Sequence, residues 1–336
     1  MQPIYLTGHS RPVHKVMFNF DGDLLFSCSD DKTVCMYSTD LLDRIGLFQI
    51  NDSCKSIDVT KDSKLLFATA TTQGIKIFDC TNGDLLAEME MPAIYTKKIE
   101  LSYSNTHFMV IYEDNKRENF IRIFSVKDAL AHGKKKGCCN FSHQIKAPKD
   151  HAITDCKWGE LDKTIYYSTD KGSLLRYNLK DNELMLRRDV NKHEIFTLTM
   201  TRDFCMLFSS SRDGTCKLLH PETLDEIRSF AFNKFPCRHA AVSPLYEAEE
   251  NQKFHVLLCG GQDAKDVTTT GAEKGGFEMS LYNIIYNEKL AGIKGHFGTV
   301  HSVAFHPDGM SFASGSEDGY VHYHRMLPEY FTKRFE

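Results

Sequence analysis

Hydrophobic residues in this chain come in short runs that are separated by polar turns. Runs such as DLLFSCS and KLLFATA are rich in branched and aromatic residues, which favours buried β-strands. The turns carry Asp-Gly or Asn-Gly pairs, in which glycine adopts a positive φ at little cost and the polar side chain bonds to nearby backbone. The clearest pairs are Asp21-Gly22, Asn82-Gly83, Asp213-Gly214, Asp308-Gly309 and Asp318-Gly319. This pattern predicts antiparallel hairpins along the whole chain.

Seven similar short strands recur, and each ends on an aromatic or bulky residue. They are TVCMY, GIKIF, FIRIF, LLRY, TCKLL, EMSLY and YVHYH, which end at Tyr37, Phe78, Phe124, Tyr177, Leu219, Tyr282 and His324. The successive ends lie 41, 46, 53, 42, 63 and 42 residues apart. A period of about 40–45 residues is typical of propeller blades with four strands each. The sequence therefore predicts an all-β fold, a single seven-bladed β-propeller over residues 1–336.

The repeats differ in length. We place them approximately at 8–47, 50–90, 93–128, 150–182, 192–230, 237–287 and 295–326. The two longest steps contain insertions at 132–150 and 262–276, whose polar and glycine-marked composition predicts loops. Helical periodicity is nearly absent, and the stretch SVKDALAHG at 125–133 is the one plausible helical turn.

Composition agrees with a globular protein that acts away from membranes. Hydrophobic residues make up 41% of the chain and charged residues 26%, and the net charge is −4. The sequence has no apolar window near the ~20 residues of a membrane span, and its start does not have the pattern of a secretory signal. We expect a cytoplasmic protein without membrane contact. The overall charge argues against a surface built for nucleic acid.

Eleven cysteines are scattered along the chain, an odd number that predicts reduced thiols. Cys138 and Cys139 are adjacent and His143 is near them, but no second Cys/His pair follows at zinc spacing. This favours a solvated loop over a metal site. We expect no metal and no cofactor, since the sequence lacks a Gly-x-Ser-x-Gly elbow, a phosphate-binding glycine-rich loop and a His-Glu-x-x-His motif.

Several repeats resemble those of the WD-repeat family, in which Gly-His opens the repeat and Ser, Asp and Trp follow at fixed spacing. In that family the four side chains form a hydrogen-bonded network inside the blade. The seventh, first and fifth repeats have the serine four residues before the aspartate and a bulky closing residue six residues after it. The resemblance implies structural networks of His296, Ser314 and Asp318, of His9, Ser27 and Asp31, and of His193, Ser209 and Asp213.

These side chains also look like the nucleophile, base and orienting residue of a hydrolase. An active site is normally made once, whereas this set recurs, so a structural network is the better interpretation. We therefore predict no catalytic residues and do not expect an enzyme. The fourth repeat carries His151 and Asp170, with Tyr177 one residue late, and the single tryptophan, Trp158, does not close a repeat.

Both ends of the sequence have features that the WD-repeat resemblance helps to interpret. In the family, a leading strand like PIYLTGH at 3–9 joins the last blade and closes the ring. At the other end, Tyr330, Phe331 and Phe335 either pack along the side of the ring or form an exposed docking edge.

Two longer stretches carry a more specific resemblance. GGQDAKDVTTTGAEKGGFE at 260–278 and GIKGHFGTVHSVAFHPDGMSFASGSEDGYVHYHRMLPEYF at 292–331 resemble the i subunits of eukaryotic translation initiation factor 3. The first repeat is similar to that family, as is LFSSSRDGTCKLLHPETLDEI in the fifth, while repeats two to four depart from its pattern.

This second resemblance implies a non-catalytic scaffold subunit of the factor, which supports assembly of the 43S pre-initiation complex, mRNA recruitment and scanning. Its implied partners are the g subunit and the b subunit, the latter through a segment near its C-terminus. The 40S ribosomal subunit would be reached through the complex. A general WD-repeat adaptor in signalling or ubiquitin-ligase assembly is the alternative.

The two insertions supply the remaining candidate residues. The side chains expected either to close the loop at 262–276 or to contact a partner are Asp263, Lys265, Asp266, Thr268, Thr269 and Thr270. In the other insertion, Lys134, Lys135 and Lys136 are candidates for direct rRNA contact, with a solvated basic loop as the alternative.

Overall fold

Seven antiparallel sheets of four strands each are arranged radially in a computed structural model of the chain. The structure describes residues 3–135, 137–232, 234–248, 252–262 and 276–332. Each sheet forms one blade, and the first strand of a blade packs against the first strand of its neighbour. The prediction of an all-β, seven-bladed propeller is confirmed.

The first four blades follow one another along the chain, after a short strand β1 (Ile4–Leu6). Blade one contains β2 (Val13–Phe18), β3 (Leu24–Ser29), β4 (Thr33–Ser38) and β5 (Arg44–Gln49). Blade two contains β6 (Ile57–Val59), β7 (Leu65–Ala70), β8 (Gly74–Asp79) and β9 (Leu85–Met89). Blade three contains β10 (Tyr95–Leu101), β11 (His107–Glu113), β12 (Asn119–Ser125) and β13 (Phe141–Lys146). Blade four contains β14 (Ile153–Trp158), β15 (Thr164–Thr169), β16 (Ser173–Asn178) and β17 (Glu183–Asp189).

The remaining blades complete the ring. Blade five contains β18 (Ile195–Met200), β19 (Leu207–Ser211), β20 (Thr215–Leu219) and β21 (Glu226–Ala231). Blade six contains β22 (Cys237–Val242), β23 (His255–Gly260), β24 (Met279–Asn283) and β25 (Glu288–Ile293). Blade seven contains β26 (Val300–Phe305), β27 (Ser311–Ser316) and β28 (Val321–Arg325). Among the described residues, the helical elements are α1 (Val126–His132), α2 (Pro328–Thr332) and two 3-10 turns at Glu160–Asp162 and Pro244–Glu247.

Burial differs strongly between the strands of a blade. All six residues of β27 are buried, because neighbouring sheets cover both of its faces. The outermost strand of a blade lies at the rim, and β17 has no fully buried residue. Inner strands therefore consist of apolar and small residues, whereas a rim strand such as β17 carries several charged ones.

Apolar side chains between neighbouring sheets form the core. Phe26 and Phe48 of blade one pack in one cluster with Leu66 and Phe78 of blade two. The rings of Phe48 and Phe78 meet edge to face, with centroids 5.5 Å apart. Burying a side chain of this size stabilises the fold by about 1.5–3 kcal/mol. Because a single blade cannot cover its own faces, each blade depends on its neighbours.

The N-terminal strand closes the ring. β1 pairs antiparallel with β28, so that Ile4 lies opposite Tyr323 and Leu6 opposite Val321. It becomes the fourth strand of blade seven, as the WD-repeat resemblance implied. This pairing covers a strand edge that would otherwise be open.

The prediction of a loop throughout 132–150 is wrong, because β13 lies within it and forms the fourth strand of blade three. Of its residues only Ile145 is buried, so its sequence has the polar character of a loop. For the same reason the predicted repeat ends at 128, 182 and 287 fall short of the outer strands β13, β17 and β25.

The helical turn predicted at 125–133 is confirmed as α1. Ser125 caps its first turn by accepting a hydrogen bond from Asp128 N at 3.4 Å, and Gly133 ends it with a φ of 62°. Beyond the helix, the carbonyls of Gly133 and Gly137 accept hydrogen bonds from Glu88 N and Glu90 N, both at 2.9 Å. This part of the insertion therefore runs along the outer edge of β9.

The C-terminal aromatic residues pack against the ring as far as the structure describes them. Tyr330 of α2 is buried, and its hydroxyl lies 2.8 Å from His255 Nδ1. Tyr330 belongs to an apolar cluster between blades six and seven, and Phe331 is partly buried against that cluster. Phe335 lies outside the described residues. No helix in the described part of the chain has the length and apolar character needed to cross a membrane. The eleven cysteines are free thiols.

Candidate functional site

Blade seven brings the three predicted network residues together. His296 lies in the loop before β26, Ser314 on β27 and Asp318 in the turn before β28. His296 Nδ1 lies 2.9 Å from Asp318 Oδ2, and its Nε2 lies 2.8 Å from Ser314 Oγ. Asp318 Oδ2 also accepts a hydrogen bond from Phe297 N at 3.0 Å. Both ring nitrogens of a buried histidine are thus satisfied, and the loop is fixed to the blade.

Blade one repeats this geometry. His9 Nδ1 lies 2.8 Å from Asp31 Oδ2, and its Nε2 lies 2.7 Å from Ser27 Oγ. Burial acts to lower the pKa of His9, but the hydrogen bonds and charges of Asp31 and Cys35 together outweigh it, and the pKa is raised to about 9. Burial acts to raise the pKa of Asp31, but hydrogen bonds with His9 and Thr33 lower it to about 2. The two side chains therefore form an ion pair at neutral pH.

In blade five the prediction of His193 as a network residue is wrong. His193 is exposed, and Asn191 takes the place of the network histidine. Asn191 Oδ1 accepts a hydrogen bond from Ser209 Oγ at 2.9 Å, and its Nδ2 donates to Asp213 Oδ2 at 3.4 Å. An amide joins the serine to the aspartate here without a charge of its own.

A backbone hydrogen bond explains this shift in position. In blade one Asp30 N donates to the carbonyl of Pro12, three residues after the network histidine. In blade five Arg212 N donates to the carbonyl of Glu194 in the same way. Asn191 precedes Glu194 by three residues, so the strand register puts it, and not the nearby histidine, next to the serine.

The same bond shows why blade four lacks the network. Asp170 N donates to the carbonyl of Ala152 at 3.0 Å, so Asp170 corresponds to Asp30 and not to the network aspartate. Counted from that bond, Tyr177 occupies the same position in its strand as Tyr37. The expectation that Tyr177 comes one residue late is therefore wrong, and it is the aspartate that lies one residue early.

Apolar packing replaces the family's tryptophan at the ends of the third strands. Tyr37, Leu219 and His324 are all buried at this position. The His324 ring stacks on Phe312 with centroids 4.5 Å apart, and its two nitrogens have no hydrogen-bond partner among the described residues. Burial and the nearby His322 lower the pKa of His324 to about 3, so the ring is neutral at physiological pH.

Charged side chains on the innermost strands line the axis, and sequence reasoning missed them. Lys98 of β10 donates to Asp155 of β14 and also lies 3.1 Å from Glu100. Lys157 donates to Glu100 at 2.8 Å, and Asp155 Oδ2 accepts a hydrogen bond from Leu198 N of β18 at 2.6 Å. These contacts connect blades three, four and five. We call Lys98, Glu100, Asp155 and Lys157 the channel ion network.

The ions of this network stabilise one another against burial. Burial acts to lower the pKa of Lys98, but Asp155 and Glu100 raise it above its usual value. Burial acts to raise the pKa of Glu100, but Lys157 and Lys98 lower it to about 2. Two cavities of about 390 and 180 Å³ adjoin the network. Since the charges are already paired, the arrangement is suited to holding blades together.

The single tryptophan also bridges two blades. Trp158 is buried at the end of β14, and its Nε1 donates to the carbonyl of Glu100 at 3.2 Å. It therefore acts between blades three and four, in agreement with the prediction that it does not close a repeat.

The residues predicted to contact rRNA or a partner lie in the two insertions, away from the blade networks. Lys134 and Lys135 are exposed just beyond α1, and Lys136 lies outside the described residues. The connection between β23 and β24 contains the other candidates, all outside the described residues: Asp263, Lys265, Asp266, Thr268, Thr269 and Thr270.

Exposed apolar side chains of blades five and six lie on either side of a hydrogen bond that joins the two blades at the rim. Ile227 of β21 is 52% exposed, and Tyr286, in the turn before β25, is 54% exposed. Ile285 is also exposed, and Asn287 Nδ2 donates to the carbonyl of Ser229 at 3.2 Å across the blades. We call Ile227, Ile285 and Tyr286 the rim patch.

Seven radial sheets, closed by the N-terminal strand and carrying His–Ser–Asp networks in two blades, define a WD-repeat β-propeller. A family model described as EIF3I matches residues 1–336. Proteins named eukaryotic translation initiation factor 3 subunit I are similar over the full length of both chains, with 32% identity for that of Pongo abelii and 31% for those of Homo sapiens and Mus musculus. The chain belongs to this family, the i subunits of eukaryotic translation initiation factor 3.

Proposed function

We propose that this protein is a cytoplasmic, non-catalytic scaffold subunit of translation initiation factor 3, which supports 43S assembly, mRNA recruitment and scanning. The observation that carries the proposal is similarity over the complete length of both chains to relatives that are named as this subunit. Its partners are the b and g subunits, and it reaches the 40S ribosomal subunit through the factor.

The geometry supports a scaffold in two ways. Polar side chains that could do chemistry are used inside the blades, as in the pairing of His9 with both Ser27 and Asp31. The charges along the axis are likewise held by one another in the channel ion network. What the ring offers to partners is its rim and faces, where apolar side chains remain exposed.

The rim patch is our proposed contact for the b subunit. Exposed apolar side chains that adjoin one another mark interaction sites more often than scattered ones do. Ile227 and Tyr286 come from neighbouring blades, so a helix or an extended segment lying across the boundary between the blades covers both. A segment near the C-terminus of the b subunit is the occupant that the family resemblance implies.

Purification of the tagged protein from its own cytosol tests the proposal. We expect recovery of small ribosomal subunits together with the b and g subunits. Recovery in a stable complex free of ribosomes and of these subunits would contradict the proposed function and favour a general adaptor.

A matched pair of variants tests the contact. Ile227→Glu with Tyr286→Glu puts two charges into the rim patch and should reduce recovery of the b subunit. Leu184→Glu with Met185→Glu is the control, because both side chains are exposed on the rim strand β17 of blade four. Equal loss of the b subunit in both pairs would exclude a specific role for the patch.

A further inference from the structure

Two cysteines of the insertion contact two methionines of blade two through their sulfur atoms. Cys138 Sγ lies 3.8 Å from Met91 Sδ, and Cys139 Sγ lies 3.2 Å from Met89 Sδ. Met89 ends β9, and Met91 follows two residues later, so both side chains point to the same side. Two adjacent thiols thus face two thioethers that alternate along an extended segment.

The backbone holds the two segments in this register. Glu88 N and Glu90 N donate to the carbonyls of Gly133 and Gly137, each at 2.9 Å. On the side of blade two, the two bonds lie just before and just after Met89. On the side of the insertion, Gly137 directly precedes Cys138 and Cys139. The sulfur atoms are therefore brought together by the path of the chain.

The two methionines of this cluster are more deeply buried than the two cysteines. Met89 is fully buried and Met91 nearly so, whereas Cys138 and Cys139 are only partly buried. A ligand can reach the thiols from solvent while the thioethers lie beneath them.

The spacing and the chemistry of these atoms suit a soft metal ion. Metal–sulfur bonds of about 2.3 Å in a tetrahedral site place neighbouring sulfur atoms roughly 3.7 Å apart. The distance between Cys138 Sγ and Met91 Sδ is 3.8 Å, and that between Cys139 Sγ and Met89 Sδ is 3.2 Å, so the two pairs lie on either side of this value. Thiolate and thioether ligands together select Cu(I), whereas thioethers are poor ligands for harder ions.

We propose that Cys138, Cys139, Met89 and Met91 form a binding site for a single Cu(I) ion. The sequence alone favoured a solvated loop at these cysteines, because the methionines are about 50 residues away along the chain.

Binding exchanges protons for the metal and involves no redox step. Two thiols lose their protons to solvent, two sulfur–copper bonds form with the thiolates, and the thioethers donate their lone pairs. The protein gains one positive charge and loses two protons, so its net charge falls by one. Affinity should therefore decrease as the pH is lowered.

Competition with a Cu(I) chelator tests the site in the reduced full-length protein. We expect the wild type to retain one Cu(I) per chain, and Cys138→Ser with Cys139→Ser to retain none. Met89→Leu with Met91→Leu preserves volume and should weaken retention at least about tenfold, the scale that even outer-shell partners of metal sites show. Cys205→Ser is the control, because this exposed cysteine lies in the turn before β19 of blade five.

Limited trypsin digestion supplies a second measurement that does not count metal. Lys134 and Lys135 are exposed between α1 and the cysteines, so cleavage there should slow when Cu(I) fixes the insertion to β9. The cysteine variant should show no such slowing. The proposal would be overturned if the cysteine variant retained as much Cu(I) as the wild type, or if the wild type preferred Zn(II).

Discussion

Replacing Asp155 by asparagine tests whether the channel ion network holds the blades together. The side chain of Asp155 is only 3% exposed, and it accepts hydrogen bonds from Lys98 and from Leu198 N. An asparagine keeps the shape and can still accept from Leu198, but it removes the negative charge that faces Lys98. Breaking a buried ion pair on one side costs about 3–5 kcal/mol. Glu100 remains 3.1 Å from Lys98 and shares its charge, so we expect a loss near the lower end, about 3 kcal/mol.

Urea unfolding followed by tryptophan fluorescence measures this loss, since the single tryptophan, Trp158, lies on the same strand as Asp155. The control is Glu118→Gln, whose ion pair with Lys146 is 2.7 Å long, with side chains 41% and 58% exposed. A surface pair of this kind contributes less than about 1 kcal/mol. If both variants unfold at the same urea concentration, the reasoning is refuted. A double replacement, Lys98→Met with Asp155→Leu, should recover most of the lost stability.

Other expected outcomes concern histidines and the long loop of blade six. Folding raises the pKa of His9 from its ordinary value to about 9, so its stabilisation is complete below about pH 6.5 and is lost as the pH rises towards 9. His9→Asn should therefore cost more stability at about pH 6 than at about pH 9.5 in urea unfolding; equal costs at both would contradict the ion pair. His324→Phe should raise stability by about 1–2 kcal/mol, because it removes two buried nitrogens that have no hydrogen-bond partner in the described part of the chain and keeps the stacking on Phe312. Because burial lowers the pKa of His324 to about 3, the same variant should resist acid better between about pH 6.5 and 3, and a lower melting temperature would count against this explanation. Alanine at Asp266, Thr268, Thr269 and Thr270 should weaken recovery of the b or g subunit or speed proteolysis of the loop, and no change in either measurement would exclude both proposed roles.

The inner strands could be predicted from the sequence because they are buried on both faces. A strand such as β27 is continuously buried, and the Asp-Gly turn before β28 marks its end. Rim strands are harder to predict from sequence, because most of their side chains are exposed and few positions require an apolar residue. FSHQIK therefore looked like part of a loop although it forms β13.

The candidate site was predictable only where local strand register fixes the spacing. The serine of each network lies on a strand and the aspartate in the turn that directly follows it, which is why blades one and seven agree with the expected positions. The network histidine lies in the loop before the first strand of the blade, and the sequence of this loop differs between blades. In blade five Asn191 occupies the position of the network histidine, and His193 does not. Contacts between blades leave no local pattern in the sequence, since Lys98 and Asp155 are 57 residues apart. The charged residues within TKKIEL are explained only by their partners on β14.

The pairing of β1 with β28 has a consequence for synthesis of the nascent chain. About 315 residues separate Leu6 from Val321, which lie opposite each other in this pair. At translation rates of about 5–20 residues per second, the first strand waits roughly 15–60 s for its partner. Throughout that interval the earlier blades form an arc with two unfinished ends, and Ile4 and Tyr5 have no neighbour. We therefore expect chaperones that recognise apolar segments to engage the amino-terminal strand until the last hairpin emerges.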